Sequence, residues 1–167
     1  MPPGSARISS SLDATEALDM QVLDRISEIL KQKGEQIWSI APNAAVYDAL
    51  AVMADKEVGS LLVIDGHKLV GLLSERDYAR KIILRGRSSK ETRVDEIMIS
   101  DPPTIVPDCS VDEAMRIMTE NRVRHLPVIG KNESVLGIVS IGDLVKWIIS
   151  SHQATIEQLQ SYIAGNS

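Results

Sequence analysis

The chain contains one long stretch twice: residues 42–74 read PNAAVYDALAVMADKEVGSLLVIDGHKLVGLLS, and residues 107–140 read PDCSVDEAMRIMTENRVRHLPVIGKNESVLGIVS. The copies align at an offset of 65 residues, which becomes 66 after one residue inserted in the second copy, so that Asp77 matches Asp143. A repeat of this length is a whole supersecondary unit, so the fold is a duplication with a pseudo-two-fold axis. We therefore expect function in the cleft that the copies share and at positions where they differ.

Hydrophobic periodicity gives each copy the order strand, helix, strand, strand, helix. The predicted strands are 37–40, 59–65, 69–73, 104–106, 126–129 and 135–139, and the predicted helices are 46–56, 74–84, 111–121 and 143–150. The predicted segments are a disordered leader at 1–19, an N-terminal helix at 20–34, repeat 1 at 35–86, a linker with a short helix at 87–101, repeat 2 at 102–151 and a C-terminal helix at 152–167. Since a repeat of about 60 residues is marginally stable alone, the halves are expected to share one core. The apolar faces of the two flanking helices either cover that core or form a subunit contact.

The amino-acid composition limits which compartments and partners are expected for the protein. Cys109 is the only cysteine, so an internal disulfide is excluded and a reducing compartment is compatible. No apolar run approaches the roughly 20 residues that cross a bilayer, and the first 19 residues lack the apolar segment of a secretory signal. The net charge of −5 argues against general nucleic-acid binding. We expect a cytoplasmic protein with no membrane and no nucleic-acid partner.

The residue types that carry catalysis do not form a recognisable site. His67, His125 and His152 are scattered, and no His/Cys cluster has the spacing of metal ligands. Cys109 lies near the start of a predicted helix, which can lower the pKa of a thiol, but its counterpart in the first copy is Ala44. Catalytic residues are therefore expected to be absent, and the protein is predicted not to be an enzyme.

Each copy ends its last strand with Gly-x-x-Ser-x-x-Asp, as GLLSERD at 71–77 and GIVSIGD at 137–143. One interpretation is structural, because Ser-x-x-Asp before a helix is typical of a capping box. The other is functional, because a helix N-terminus favours anions and an aspartate can accept two hydrogen bonds from a ribose diol. The motif alone favours the cap.

The copies differ most in charge just before the predicted strand at 126–129. The second copy has Arg122, Arg124 and His125, where the first has Glu57, Gly59 and Ser60. Because one copy does without these basic side chains, they are candidates for phosphate binding, with a plain surface patch as the alternative. A further basic cluster follows the first motif and comprises Arg76, Arg80, Lys81, Arg85, Arg87, Lys90 and Arg93. That cluster is either a solvated surface or a second source of phosphate contacts.

Together these features resemble a tandem pair of cystathionine-β-synthase-type (CBS) domains, a regulatory nucleotide-binding module, over about residues 37–150. Three stretches look like a stand-alone subgroup found in bacteria and plant organelles: SERDYARKIILRGRSSK at 74–90, VSIGDLVKWII at 139–149 and TIEQLQSYIAG at 155–165. The resemblance implies an α/β fold of duplicated β-α-β-β-α units, with two small sheets packed in pseudo-two-fold symmetry and two clefts for adenosyl ligands. It also implies a flat homodimer formed through helices that carry pairs such as Ile82–Ile83 and Ile148–Ile149.

The resemblance further implies which residues line each cleft. In the family the motif Asp holds ribose hydroxyls, the motif Ser contacts ribose or phosphate, and backbone near the first strand holds adenine. One cleft is thereby assigned Ser140, Asp143, Arg122, Arg124, His125, Pro127, Thr104 and Ile105. The other is assigned Ser74, Asp77, Ser39, Ile40, Ser60 and Leu62, with Arg76, Arg80 and Lys81 as phosphate contacts for either cleft.

We therefore expect a non-catalytic sensor that acts in signal transduction. AMP is the first-choice ligand because one phosphate matches a small basic cluster, with ADP, ATP, NAD and NADH as further ligands and no metal required. The ligand would change how the copies in a homodimer pack, and an effector protein acting in trans would read that change. Three alternatives stay open: a scaffold with vestigial clefts, an enzyme that uses Cys109 or His125, and a nucleic-acid-binding protein that uses the basic stretch at 76–93.

Overall fold

The computed structural model describes residues 24–34 and 36–165. The leader predicted at 1–19 lies outside the described residues. The helices are α1 (Ile26–Lys33), α2 (Val46–Lys56), α3 (Glu75–Tyr78), α4 (Val111–Asn121) and α5 (Ile141–Gly165). The strands are β1 (Ser39–Ile40), β2 (Ser60–Asp65), β3 (Lys68–Ser74), β4 (Ile99–Ser100), β5 (His125–Ile129) and β6 (Val135–Ser140). Helix α3 continues as a π-helix at Ala79–Ile83, and short 3₁₀ helices lie at Val94–Glu96 and Lys131–Glu133.

Two small sheets form the frame of the molecule. The first has the order β1-β2-β3-β4, with β1 parallel to β2 and the remaining pairs antiparallel. The second is the antiparallel pair β5-β6, which a parallel bridge between Ile105 and Val128 extends. The predicted α/β fold of duplicated strand-helix-strand-strand-helix units is confirmed.

Each half has a hydrophobic core of its own, so the expectation of one shared core is wrong. In the first half, α2 buries Val46, Ala49 and Met53 at helical spacing against β2 and β3. In the second half, α4 repeats this arrangement with Val111, Ala114 and Met118. Two cores with a cleft between them can shift relative to each other without either being broken.

Helix α1 belongs to the second core although it precedes the first repeat in the chain. Ile26 and Ile29 are buried in the cluster of the second half. The N–H of Val111 donates to the carbonyl of Asp24 at 2.8 Å, and the Trp147 indole donates to the Asp24 carboxylate at 2.9 Å. The described helix begins at Ile26, because Arg25 is extended and pairs with Ser110. Residues 20–23 of the predicted helix lie outside the described residues.

Two predicted elements differ from the structure for identifiable reasons. The strand predicted at 104–106 is reduced to one bridge at Ile105, because the preceding prolines, Pro102 and Pro103, carry no N–H to donate. The C-terminal helix predicted at 152–167 is not separate, since α5 continues unbroken to Gly165. No helix in the described part of the chain is both long and apolar enough to cross a membrane.

Candidate functional site

Both Ser-x-x-Asp motifs form capping boxes at the start of a helix. At α3 the Asp77 N–H donates to Ser74 Oγ at 3.2 Å, and the Ser74 N–H donates to Asp77 Oδ2 at 3.0 Å. At α5 the corresponding distances for Asp143 and Ser140 are 3.1 Å and 2.8 Å. The structural interpretation of the motif is therefore confirmed. In each box the carboxylate is fixed near the end of a strand. The functional interpretation, in which the aspartate accepts hydrogen bonds from a ribose, needs the carboxylate at the same position.

A cleft of about 620 Å³ lies between the two halves. One side is formed by Ser74, Glu75, Arg76, Asp77 and Arg80, and the other by Asn121, Arg122, Val123, Arg124 and His125. Its apolar surface comes from Leu72, Ile99 and Pro103. We call this cavity the arginine cleft, because four arginines from two distant segments meet there.

Among the described residues, none of these four guanidinium groups forms an ion pair or a hydrogen bond with another residue. Elsewhere, Arg25, Arg87, Arg93 and Arg116 each pair with a carboxylate. An arginine always carries its charge, and several unpaired guanidinium groups in one concave site create a strong positive potential. The arginine cleft is therefore suited to an anion, and planar guanidinium groups bind phosphate with particular geometric preference.

Arg122 lies in a turn that both copies of the repeat share. Arg122 follows α4 in the left-handed conformation, with φ 54° and ψ 40°. Its counterpart Glu57 follows α2 with φ 54° and ψ 43°. The same turn is therefore built with side chains of opposite charge, so the turn itself does not require an arginine.

The grouping of residues differs from the one that the resemblance implied. Arg122, Arg124 and His125 were assigned to the cleft of Asp143, but they line the cleft of Ser74 and Asp77. Across this cleft, the start of β5 faces α3 of the other half. The basic side chains missing from repeat 1 are thus supplied to its motif by repeat 2.

Asp143 instead faces a hollow of about 160 Å³ beside α1. Lys33 Nζ lies 2.7 Å from Asp143 Oδ2 and donates to the Ile138 carbonyl at 2.8 Å. Burial raises the pKa of Asp143, but hydrogen bonds from Lys33 and Ser140 outweigh burial and lower the pKa overall. The carboxylate is therefore held ionised and already has a cationic partner.

His125 lies between the two motifs. Its strand partner across the β5–β6 pair is Ser140, while its side chain borders the arginine cleft. Burial and the positive charge of Lys33 lower the pKa of His125, and the charge of Asp143 opposes this only in part. The imidazole is therefore neutral near pH 7 and can act as a hydrogen-bond partner.

The remaining predicted site residues lie within the sheets. The N–H of Ile105 donates to the Pro127 carbonyl at 3.0 Å, and the N–H of Leu62 donates to the Trp38 carbonyl at 3.2 Å. Ser39 pairs with Leu62, Ile40 pairs with Val63, and Ser60 is buried opposite Ser74. Thr104 precedes the bridge at Ile105. These backbone contacts hold strands together, and the binding roles assigned to Ser39, Ile40, Ser60, Leu62, Thr104, Ile105 and Pro127 stay predictions.

Sequence reasoning missed part of the lining. Leu72 lies within the motif at 71–77 but was given no role, and Ile99, Pro103, Asn121 and Val123 border the arginine cleft without belonging to a recognised motif. For Ile99 and Pro103 the sequence carried no signal, since both follow the linker helix and reach the cleft only because β4 pairs with β3. Asn121 and Val123 are adjacent in sequence to Arg122 and Arg124, so their position beside the cleft could have been predicted from those basic residues.

The described residues contain neither a cluster of side chains suited to a metal ion nor a cysteine whose pKa is lowered. Among the described residues, no group of His, Cys, Asp and Glu is arranged to hold a metal ion. Burial, with a smaller effect from the charge of Glu113, raises the pKa of the Cys109 thiol. Burial therefore acts against the lowered pKa that a helix N-terminus can give a thiol, and the catalytic interpretation of Cys109 stays an untested alternative.

Comparison with known proteins points to one family. A family model described as CBS domain matches residues 26–84 and 94–150. The chain is 41% identical over 150 residues to the CBS domain-containing protein CBSX3, mitochondrial, of Arabidopsis thaliana, which covers 84% of this chain and 72% of that protein. A solved CBS-domain protein from Burkholderia ambifaria has 47% identity and a TM-score of 0.72, with 75% of this chain and 94% of that chain covered. A CBS domain protein from Pyrobaculum aerophilum, solved in complex with AMP, has 25% identity and a TM-score of 0.64 over 71% of this chain and 88% of that chain.

Proposed function

Because the chain belongs to the CBS-domain family and carries two copies of the domain in tandem, we propose that it is a regulatory sensor that binds an adenine nucleotide in the arginine cleft. CBS-domain pairs generally bind adenine nucleotides as regulators. The observation that carries the proposal is the meeting of Ser74 and Asp77 with four unpaired arginines in one concave site. The sensor is proposed to be non-catalytic, to need no metal and to act in signal transduction.

AMP is the proposed ligand, and the charges of the cleft support it. The four arginines exceed the two carboxylates, Glu75 and Asp77, by two positive charges. A phosphate monoester carries about 1.5 to 2 negative charges at pH 7, so one phosphate nearly balances the site. The P. aerophilum neighbour was solved with the same nucleotide. ADP, ATP, NAD and NADH are the competitors that this proposal must exclude.

The proposed mechanism is a population shift between two packings of the halves. A nucleotide in the arginine cleft would touch α3 of one half and the start of β5 of the other. Because each half has its own core, the ligand can favour one relative placement without unfolding either. An effector protein acting in trans would then recognise the favoured state.

We also propose that the protein is a homodimer in which α5 and the π-helix after α3 form the contact. Ile83 and Ile149 occupy equivalent positions of the two repeats, and each is 58% exposed. Their neighbours Ile82 and Ile148 pack inward. Apolar side chains repeated on one surface by the pseudo-symmetry are suited to an isologous contact. The cytoplasmic location stays a prediction.

The experiment that tests the sensor is calorimetric titration with AMP of the wild type and of Asp77→Asn and Asp143→Asn. Each variant keeps the size of the motif side chain, and the two serve as matched controls for each other. Saturable binding that is lost in Asp77→Asn and kept in Asp143→Asn is expected. ATP, NAD and NADH are added as competitors, and tighter binding of any of them would replace AMP as the ligand. No heat with any of these ligands, in folded protein free of copurified nucleotide, would refute the sensor.

A scaffold with vestigial clefts is the second candidate function. The short contact of Lys33 with Asp143 favours it, since the chain itself engages this motif carboxylate at 2.7 Å. The same titration decides between the two functions, because a scaffold predicts no nucleotide binding to the wild type.

A further inference from the structure

Helix α5 carries an apolar stripe that the other described residues leave exposed. The helix runs for 25 residues from Ile141 to Gly165, and residues 152–165 are all exposed. The stripe comprises Val145, Ile149, His152, Ile156, Leu159 and Ile163, and we call it the C-terminal seam. All its members except His152 are apolar.

The spacing of the C-terminal seam is that of a coiled coil. Its residues follow one another at alternating intervals of four and three, with isoleucine at 149, 156 and 163. These positions correspond to heptad position a, and Val145, His152 and Leu159 correspond to position d. A seven-residue repeat of apolar side chains is the pattern by which one helix packs along another. From Val145 to Ile163 the stripe rises by 18 residue steps, or about 27 Å of helix.

The seam lies on a different face of α5 from the residues that hold the helix on its own domain. Leu144 is buried in the second core, and Trp147 and Ile148 pack against it. Ile156, Leu159 and Ile163 are 54%, 58% and 70% exposed. Three large apolar side chains in a heptad row, exposed along one helix, are complementary to another helix with the same repeat.

We infer that the C-terminal seam pairs with the same seam of a second copy in a parallel two-stranded coiled coil. Isoleucine at position a with leucine at position d favours two parallel strands. From His152 onward, the positions that flank the seam are Gln153, Thr155, Gln160 and Tyr162, which carry no charge, whereas the charged Lys146 flanks Val145. Two identical helices can therefore approach without like-charge repulsion, whereas a partner chosen by charge would need charged flanks.

The inference extends the proposed homodimer beyond the CBS fold and does not depend on nucleotide binding. In a parallel pair related by a two-fold axis, each seam residue meets its own copy. Leu159 would then face Leu159 of the second copy, while Ser161 would point away from it. These two positions provide a matched pair of sites for cross-linking.

The test introduces single cysteines into the full chain in a Cys109→Ser background. Leu159→Cys and Ser161→Cys are oxidised under identical conditions, and covalent dimer is measured on a non-reducing gel. Leu159→Cys is expected to form covalent dimer almost completely and Ser161→Cys hardly at all. Equal cross-linking at the two positions, or none at either, would overturn the inference.

A second measurement covers the case in which a new cysteine disturbs the helix. Sedimentation equilibrium compares Ile156→Lys/Ile163→Lys with the control Gln158→Lys/Ser161→Lys, which adds the same charge on another face. The seam variant is expected to raise the dimer dissociation constant at least tenfold, and the control less than threefold. A monomeric wild type, or equal dissociation constants in the two variants, would refute the coiled coil. Titration of the same proteins with AMP tests the sensor proposal independently, because the coiled coil does not depend on nucleotide binding.

Discussion

Lys33 and Asp143 form an ion pair in which Nζ lies 2.7 Å from Oδ2, although 110 positions separate the two residues in the chain. The pair joins the end of α1 to the start of α5. Its counterpart in the first half is Lys81 with Asp77, where Nζ is 3.5 Å from Oδ1 and the lysine comes from the same helix. The two motif carboxylates are therefore equivalent in sequence but differ in how tightly the chain itself engages them.

Replacing Lys33 with Met is expected to free the Asp143 motif for a second nucleotide. The substitution keeps the length of the side chain and removes the cation that occupies the carboxylate. Titration with AMP is expected to give a stoichiometry of one per chain in the wild type and two in Lys33→Met. Loss of this partly exposed pair should cost only about 0–1 kcal/mol of stability.

Lys31→Met is the matched control for Lys33→Met, because Lys31 lies on the same helix and pairs with Glu28 at the surface. It should bind one nucleotide, like the wild type. A stoichiometry of one in both variants would show that Lys33 does not block the second motif.

Arg122→Glu installs in the second copy the residue that the first copy has at the equivalent position. The backbone there is left-handed in both copies, so the turn is expected to tolerate glutamate. The substitution turns a positive charge in the arginine cleft into a negative one. AMP affinity should fall at least tenfold, or about 1.4 kcal/mol of binding free energy, as measured by calorimetry.

Lys131→Glu serves as the charge-matched control for Arg122→Glu. It makes the same change of charge in the turn between β5 and β6, at an exposed position that does not line the cleft. Its affinity should stay within twofold of the wild type. If both variants weaken AMP equally, the effect comes from net charge and the arginine cleft is not the binding site.

His125 is expected to make the free energy of unfolding fall as the pH drops from 7.5 to 5.5. Burial and Lys33 lower the pKa of His125 in the folded state, whereas the unfolded chain takes up its proton near pH 6.5. Unfolding therefore binds a proton below about pH 6.5, and stability is lost until the pH reaches the folded pKa. Asp143, whose pKa is also lowered, contributes stability that is lost only near and below its ordinary value of 3.8.

Urea unfolding of His125→Gln at the two pH values checks this expectation, since glutamine keeps hydrogen-bonding groups without titrating. The variant should lose less stability than the wild type between pH 7.5 and 5.5. An unchanged slope in His125→Gln would assign the pH dependence to other groups.

Gly71→Ala should destabilise the protein more than Gly137→Ala, although the two glycines are equivalent in the repeat. A Cβ at Gly71 would clash with the Met98 side chain and lie 3.0 Å from the Ile99 carbonyl oxygen, because β4 crosses closely there. A Cβ at Gly137 meets only the end of the Leu30 side chain, at 3.0 Å. Overpacking against backbone should cost about 1–3 kcal/mol, whereas a flexible side chain can move aside. Equal midpoints of thermal unfolding for the two variants would contradict this account.

Much of the fold was predictable because it rests on local patterns. The bounds of α2 and α4 match the predicted 46–56 and 111–121, since each is an amphipathic helix that ends at a fixed turn. Both Ser-x-x-Asp motifs cap their helices as the capping-box pattern predicts. The strand predicted at 104–106 is reduced to one bridge at Ile105, because Pro102 and Pro103 remove donors that a ladder would need.

The sequence by itself determined the duplication, the secondary structure of each repeat and the identity of the basic side chains that one copy adds. Only the tertiary structure decided that Arg122 and Arg124 face Asp77, and that α1 crosses to the second half and places Lys33 on Asp143. The physical reason is that periodicity records which face of an element is apolar, but not which partner covers that face. A pseudo-symmetric pair offers two nearly equal partners, and the choice between them depends on contacts between residues far apart in the chain, such as Lys33 and Asp143, which 110 positions separate.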